Sequence, residues 1–129
     1  MRILDANYNR AKEGLRVCED ICRFILNDSP ATRRFKNTRH RLTKILTAVG
    51  FKDLVLARQI ESDVGKSSLK SELKRKDIAD IFYANIQRVK ESIRVLEELT
   101  KLLSAASSAF LKTLRYQIYA LEKTVIKKF

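Results

Sequence analysis

Residues that interrupt helices are scarce in this sequence. Its 129 residues include three glycines, one proline and no tryptophan, which leaves little material for tight turns or a strand-rich fold. Lysine, glutamate, leucine and arginine, all good helix formers, occur throughout the chain. The hydrophobic fraction of 45% is enough for a packed core and excludes a disordered tail. The composition therefore predicts one all-α domain.

Metal-ligating and disulfide-forming residues are also few. Cys18 and Cys22 are the only cysteines, and their spacing of four puts both on one helix face. We interpret them as small core residues, because a metal site would need two more ligands and His40 is the only histidine. The Glu-x-x-His pairs of di-iron bundles are absent. Salt bridges to nearby cations better explain the repeated acidic pairs; the residues concerned are Glu19, Asp20, Glu97 and Glu98 with Arg16, Arg23, Arg94 and Lys101.

Long apolar segments are missing as well. No stretch has the length of a membrane span, and Met1 to Asp5 contains no basic region leading into an apolar signal segment. We therefore expect a cytoplasmic protein without a membrane partner.

Acidic residues are outnumbered by basic ones, 15 to 27, which gives a net charge of +12. Such an excess makes polyanions candidate partners. The basic residues are spread over every segment, however, and no recognition helix is evident, so nucleic acid is a weaker alternative. A solvated basic surface and a phosphate-bearing small molecule are the two interpretations that we favour.

Hydrophobic periodicity predicts four main helices and a short connecting one. Ser29 is expected to cap the second helix and Pro30 to occupy its first turn. Leu103 and one apolar stripe of the first helix are expected to face the core; the stripe consists of Tyr8, Ala11, Leu15, Cys18, Cys22 and Ile25. The predicted helices cover about 6–27, 30–49, 51–60 (the short one), 72–103 and 107–127, with a loop at 61–68.

The first long helix is repeated later in the chain. Residues 6–26 align without a gap on residues 84–104, and both copies begin with Ala-Asn-x-x-Arg-x-Lys-Glu. The second helices align as well, with Arg39 opposite Arg115. We therefore predict a duplicated α-hairpin that forms a bundle with an approximate internal twofold. Its parts are repeat one at about 5–49, a connector at about 50–70 and repeat two at about 71–127.

Core packing does not require the repeated polar residues of this signature. One interpretation is that they form ion pairs three residues apart, such as Glu13 with Arg16. The other is that Asn-Arg pairs from both copies converge across the twofold and hold an anion, because guanidinium groups bind phosphate by paired hydrogen bonds. The repeated residues are Asn7, Arg10, Glu13 and Arg16, then Asn85, Arg88, Glu91 and Arg94; Arg39, Arg58 and Arg115 would add charge.

The connector contains Gly-Lys-Ser, as a phosphate-binding P-loop does. Ile60 stands where that motif requires glycine, and no strand precedes it, so a P-loop is not indicated. Asp63 remains a candidate Mg²⁺ ligand and Gly65 a candidate for close backbone approach to a ligand, unless this is a plain exposed turn.

Two features of the second helices have alternative interpretations. His40 is either an acid or base near neutral pH or a boundary residue. Tyr116, Tyr119 and Glu122 either line a pocket for a flat ring or simply pack.

Taken together, the motifs resemble the helical domain found ahead of thiamine-phosphate synthase in some bacteria. The resemblance rests on residues 5–20, Thr-Arg-His-Arg-Leu at 38–42, Ala-Arg with Ser-Asp-Val-Gly at 57–65, Arg-Val-Leu-Glu-Glu at 94–98, and 114–122. The synthase barrel itself is absent, so we expect a stand-alone form or an excised domain.

The resemblance implies an alternative kinase that phosphorylates hydroxymethylpyrimidine phosphate with ATP and Mg²⁺. It also implies association with thiamine-phosphate synthase, or a non-catalytic module that binds a phosphorylated ligand; a homodimer is a further expectation. The implied catalytic residues are His40 and Asp63, and the implied metal ligands are Asp63, Glu13 and Glu91. The implied substrate-binding residues are Asn7, Arg10, Arg16, Arg39, Arg58, Gly65, Asn85, Arg88, Arg94, Arg115 and Tyr119.

Overall fold

A computed structural model describes residues 1–47, 51–57 and 74–129. Every regular element in these ranges is helical and none is a strand, which confirms the all-α class. The elements are α1 (Arg2–Phe24), α2 (Ser29–Thr47), α3 (Phe51–Leu56), α4 (Ile78–Thr100), α5 (Ala105–Val125) and a final 3-10 turn (Ile126–Lys128). Among the described helices, none is long and apolar enough to cross a bilayer.

The two long helices that carry the repeat both end earlier than predicted. α1 ends at Phe24, and Asn27 then adopts a positive φ of 51°, a conformation that asparagine tolerates better than most residues. α4 ends at Thr100. Ile25 and Leu103 therefore lie beyond the last helical turn and are 50% and 56% exposed, so the prediction that they face the core was wrong.

Side-chain caps determine where three of the helices begin. Asp28 Oδ1 accepts a hydrogen bond from the Ala31 backbone N–H at 3.0 Å, so Asp28 caps α2 and the prediction of Ser29 was wrong. Asp77 caps α4 by accepting from the Asp80 N–H at 2.8 Å, which moves the start of α4 from about 72 to Ile78. Ser104 caps α5 in the same way.

α1 and α4 form the central pair of the bundle. Gly14 of α1 packs so tightly on α4 that a Cβ atom there would lie 2.7 Å from Val89 Cγ2 and 2.9 Å from the Asn85 carbonyl oxygen. One turn later, Cys18 Sγ lies 4.0 Å from the Phe82 carbonyl oxygen. From the first contact to the second, the residue number increases in α1 and decreases in α4, so the two helices are antiparallel.

Each central helix forms a hairpin with the helix that follows it. α1 packs on α2 in the first hairpin, α4 packs on α5 in the second, and a smaller contact joins α2 to α5. The core contains the predicted stripe of α1 except Ile25, together with Phe35, Phe82 and Leu114. Cys18 and Cys22 are fully buried and unpaired, which confirms the prediction that they are core residues. Burial is the main cause that raises the pKa of both thiols.

Candidate functional site

A buried glutamate joins the two helices of the first hairpin. Glu19 is only 3% exposed, and its two carboxylate oxygens have different partners. Arg16 Nη1 donates to Oε1 at 3.2 Å, and Arg39 Nε of α2 donates to Oε2 at 3.0 Å. Because the carboxylate is neutralised from both helices, it holds both guanidinium groups in place.

The second hairpin repeats this arrangement at the aligned positions. Glu97 is also 3% exposed; Arg94 Nη1 donates to Oε1 at 2.8 Å, and Arg115 Nε donates to Oε2 at 2.9 Å. The hydrogen bond to Glu97, followed by the one to Tyr119, raises the pKa of Arg115. We call each set, Glu19 with Arg16 and Arg39 and Glu97 with Arg94 and Arg115, a glutamate clamp.

The carboxylate partners of Arg16 and Arg94, two arginines of the repeated signature, are evident from these contacts. Arg16 contacts Glu19 and Asp20, and Arg94 contacts Glu97 and Glu98, as predicted for the acidic pairs. The alternative prediction, an ion pair between Glu13 and Arg16, was wrong. Lys101 also pairs with Glu98, as predicted, whereas Arg23 lies over the Phe24 ring at 4.7 Å.

A groove of about 520 Å³ lies beside the first clamp. We call it groove one; its lining residues are Asn9, Lys12, Glu13, Arg16, Val17 and Arg39. Lys12 has no ion pair within the described ranges and only approaches the Tyr8 ring, at 5.1 Å. Glu13 is exposed and has no hydrogen bond or ion pair with any described residue. Groove one therefore contains a cation and a carboxylate, neither of which forms an ion pair with a described residue.

A groove of about 450 Å³ lies beside the second clamp. We call it groove two; its lining residues are Gln87, Lys90, Glu91, Arg94, Val95 and Tyr119. The five residues from α4 are the aligned counterparts of the five from α1 in groove one. Here Lys90 Nζ contacts both carboxylate oxygens of Glu122, at 2.7 and 2.9 Å, and Gln87 donates to Glu91 at 2.9 Å. The same residue types are thus satisfied internally in groove two.

The repeated asparagines and the arginines that follow them lie elsewhere. Asn7 Nδ2 donates to the Ile3 carbonyl at 2.9 Å, and Asn85 Nδ2 donates to the Ile81 carbonyl at 2.8 Å. Arg10 and Arg88 are exposed. None of these four lines groove one or groove two. Their convergence on one anion stays a prediction.

The remaining candidates divide between exposed and undescribed positions. His40 is exposed on α2 and lines neither groove, and its role as an acid or base stays a prediction. Tyr119 lines groove two, where its hydroxyl oxygen lies 2.9 Å from Arg115 Nη1. Arg58, Asp63 and Gly65 lie outside the described residues.

Sequence reasoning missed Lys12 and Lys90 as site candidates. Both belong to the repeated signature, so their recurrence beside a recurring glutamate was a usable signal. Within the described residues, no group of three or more histidine, cysteine or carboxylate side chains could hold a metal ion alone. Mg²⁺ is commonly bound by one or two carboxylates together with substrate phosphates, and Glu13 is the carboxylate among the described lining residues of groove one.

Comparison with known proteins identifies the family of the chain. The model of the ThiD2 family matches residues 2–124. Thiamine-phosphate synthase of Synechocystis sp. is 42% identical over 126 residues, which are 97% of this chain and 36% of that protein. The same enzyme of Rhodopirellula baltica is 40% identical over 121 residues, 93% of this chain and 32% of that protein. The chain thus spans about a third of the length of these relatives. No solved structure matches it.

Proposed function

Because the chain belongs to the ThiD2 family, we propose that it is an enzyme of thiamine biosynthesis that phosphorylates hydroxymethylpyrimidine phosphate to the diphosphate. ATP is the phosphoryl donor and Mg²⁺ the metal ion in this proposal. Its association with thiamine biosynthesis rests on the family and on the thiamine-phosphate synthases that it matches. We place the activity in the cytoplasm, where unpaired thiols such as those of Cys18 and Cys22 are usual.

The observation that supports groove one as the reaction site is its difference from groove two. Lys12 and Lys90 are aligned, but among the residues that the structure describes only Lys90 is neutralised by a carboxylate, that of Glu122. Glu13 and Glu91 are aligned, but within residues 1–47, 51–57 and 74–129 only Glu91 receives a hydrogen bond, from Gln87. A site for phosphates and a metal ion needs groups that are not already paired within the protein. Groove one retains such groups.

Phosphoryl transfer depends mainly on positioning and charge neutralisation. In the proposed step, a phosphate oxygen of the substrate forms a bond to the γ-phosphorus of ATP, and the bond from that phosphorus to the ADP oxygen breaks. The attacking oxygen is already anionic, so no proton has to be removed from it. Lys12 and the clamped Arg16 and Arg39 would hold phosphate oxygens, and Glu13 would hold Mg²⁺.

The glutamate clamp suits this role because it orients the arginines without using all of their donors. Arg39 contacts Glu19 through Nε alone, which leaves its terminal amino groups for a phosphate. A guanidinium fixed in this way loses little rotamer entropy when it binds a ligand. The clamp is therefore expected to contribute to affinity as well as to stability.

Activity assays with aligned pairs of variants test the proposal. The purified chain, ATP, Mg²⁺ and hydroxymethylpyrimidine phosphate should yield ADP and the pyrimidine diphosphate, followed by phosphorus NMR. Lys12→Gln and Glu13→Gln should each lower kcat/KM about 100-fold, the size expected for losing a charge-assisted contact in the transition state. The matched controls Lys90→Gln and Glu91→Gln should stay within about threefold of the unsubstituted chain.

Two outcomes would contradict the proposal at different levels. If the unsubstituted chain forms no diphosphate, the kinase proposal fails. If both pairs of variants lose activity equally, a kinase remains but groove one is not its distinct site. Thermal unfolding of each variant separates a loss of activity from a loss of folding.

A second candidate is a non-catalytic module that binds a phosphorylated thiamine precursor for thiamine-phosphate synthase. The observation that favours it is that the matched relatives contain this region as about a third of a longer chain named for the synthase. It predicts that the pyrimidine phosphate raises the melting temperature without any product forming. Product formation would exclude it.

A further inference from the structure

A third groove, of about 300 Å³, lies between α2 and α5. We call it groove three; its lining residues are Arg34, Asn37, Thr38, Arg41, Gln117 and Leu121. It shares no lining residue with groove one or groove two, and no site candidate drawn from the sequence lies in it. Its described lining residues include two arginines and no carboxylate.

The arginines of groove three have no carboxylate partner in the part of the chain that the structure describes. The α2 sequence, Ser29–Thr47, contains no aspartate or glutamate. Of its cations, only Arg39 has a carboxylate partner among the described residues, namely Glu19. Arg34 and Arg41 therefore carry charge that no described side chain neutralises.

Arg41 is held in position although no described carboxylate pairs with it. Its Nη1 donates to Gln117 Oε1 at 2.6 Å, and its guanidinium carbon lies 4.7 Å from the centre of the Phe110 ring. Both contacts orient the guanidinium group, and neither contributes negative charge beyond a dipole or a ring face. An oriented, unneutralised guanidinium is suited to bind an oxyanion through its remaining donors.

The alignment of the two hairpins adds a second argument. Arg41 and Gln117 are aligned counterparts, and they contact each other across α2 and α5. Arginine at both positions would place two like charges together, whereas glutamine accepts a hydrogen bond and leaves one net charge. Phe110, the counterpart of Arg34, likewise carries no charge. The positive charge of the α2–α5 contact is thus concentrated on the α2 side.

We propose that groove three is a binding site for a phosphate or diphosphate group, distinct from groove one. Arg41 and Arg34 contribute the charge, and the side-chain amide of Asn37 adds a neutral donor. Because α5 contributes Gln117 and Leu121 to the same groove, the bound anion would also strengthen the contact between the two hairpins.

Isothermal titration calorimetry with inorganic diphosphate tests this proposal. All titrations use the full chain carrying Lys12→Gln, which removes the lysine charge of groove one, at constant ionic strength. In the test variant Arg34→Gln and Arg41→Gln are added, and in the control Arg33→Gln and Lys36→Gln. Both remove two charges from α2, but only the first pair lines groove three.

We expect the dissociation constant for diphosphate to rise at least tenfold in the test variant and to stay within about twofold in the control. Equal losses in both variants would mean diffuse surface attraction and would overturn the proposal. Unchanged binding in the test variant would overturn it as well. The single change Arg41→Gln, which copies the residue at the aligned position in α5, gives the same test if the double change disturbs folding.

Parallel titrations with ADP separate two sources of the same chemistry. If diphosphate binds more tightly than ADP and the test variant loses this binding, the ligand of groove three is a free oxyanion. If ADP binds more tightly and the test variant loses that binding, the ligand is a nucleotide. The proposal does not depend on the kinase activity, because binding that requires Arg34 and Arg41 would remain in a chain that proves inactive.

Discussion

Removal of Arg39 from the first glutamate clamp should destabilise the fold by about 3 kcal/mol. In Arg39→Met the apolar stem is kept, and the guanidinium that contacts Glu19 Oε2 at 3.0 Å is lost. Breaking one side of a buried ion pair costs about 3–5 kcal/mol, because the remaining charge stays buried without compensation. Arg16 still reaches the other oxygen at 3.2 Å, so we expect the lower end of that range.

The different solvent exposure of the two arginines that contact Glu19 provides a control for this prediction. The side chain of Arg16 is 52% exposed, whereas that of Arg39 is 19% exposed. Arg16→Met should therefore cost no more than about 1 kcal/mol, as solvent-exposed pairs do. The same glutamate thus tests one buried and one exposed arginine.

The duplicated clamp provides a second, independent measurement. Arg115→Met should cost about as much as Arg39→Met, because Arg115 contacts an equally buried Glu97 at 2.9 Å. The assay is urea unfolding followed by far-UV circular dichroism, with free energies taken from linear extrapolation. Two results would refute the reasoning: a decrease in the free energy of unfolding below about 0.5 kcal/mol in Arg39→Met, or no recovery of stability when Glu19→Gln is added to that variant.

Two further predictions concern other contacts of the bundle. Gly14→Ala should lower the free energy of unfolding by about 1 kcal/mol, because overpacking against α4 costs about 1–3 kcal/mol and the higher helix propensity of alanine offsets about 1 kcal/mol. A higher free energy of unfolding for this variant, measured with urea, would contradict the tight contact. The hydrogen bond from Lys128 holds the pKa of Asp28 below its ordinary value of 3.8. The resulting stabilisation should be complete well above that value and lost as the pH falls through the lowered pKa. In Lys128→Met, the free energy of unfolding should fall less over this pH range than in the unsubstituted chain. The same decrease in both proteins would argue against the contact.

The core of the long helices was predictable because it depends on periodicity alone. Tyr8, Leu15 and Cys18 are buried as predicted, since steps of three and four along a helix fall on one face. The helix ends were less predictable. Ile25 continues the periodic pattern but lies after the last turn, and the positive φ at Asn27 depends on a local backbone choice that periodicity does not report.

The partners of the polar residues were the hardest part to predict. Glu13 and Glu19 are each three residues from Arg16, so spacing along the helix does not distinguish them. The choice depends on Arg39, which approaches Glu19 from α2, and such contacts between helices are not contained in a single-helix wheel. Lys12 was overlooked for a related reason. That it forms no ion pair with a described residue is informative only in comparison with the ion pair of Lys90 with Glu122.

The two aligned grooves lie in a single chain, and this affects how the protein can change during evolution. In a homodimer of identical hairpins, every substitution would alter both grooves at once. Here a mutation at one position leaves its counterpart untouched. Glu122 could therefore neutralise Lys90 in one groove while Lys12 in the other kept its charge. An ion pair can thus stabilise the bundle at one groove while the aligned lysine of the other groove keeps its charge.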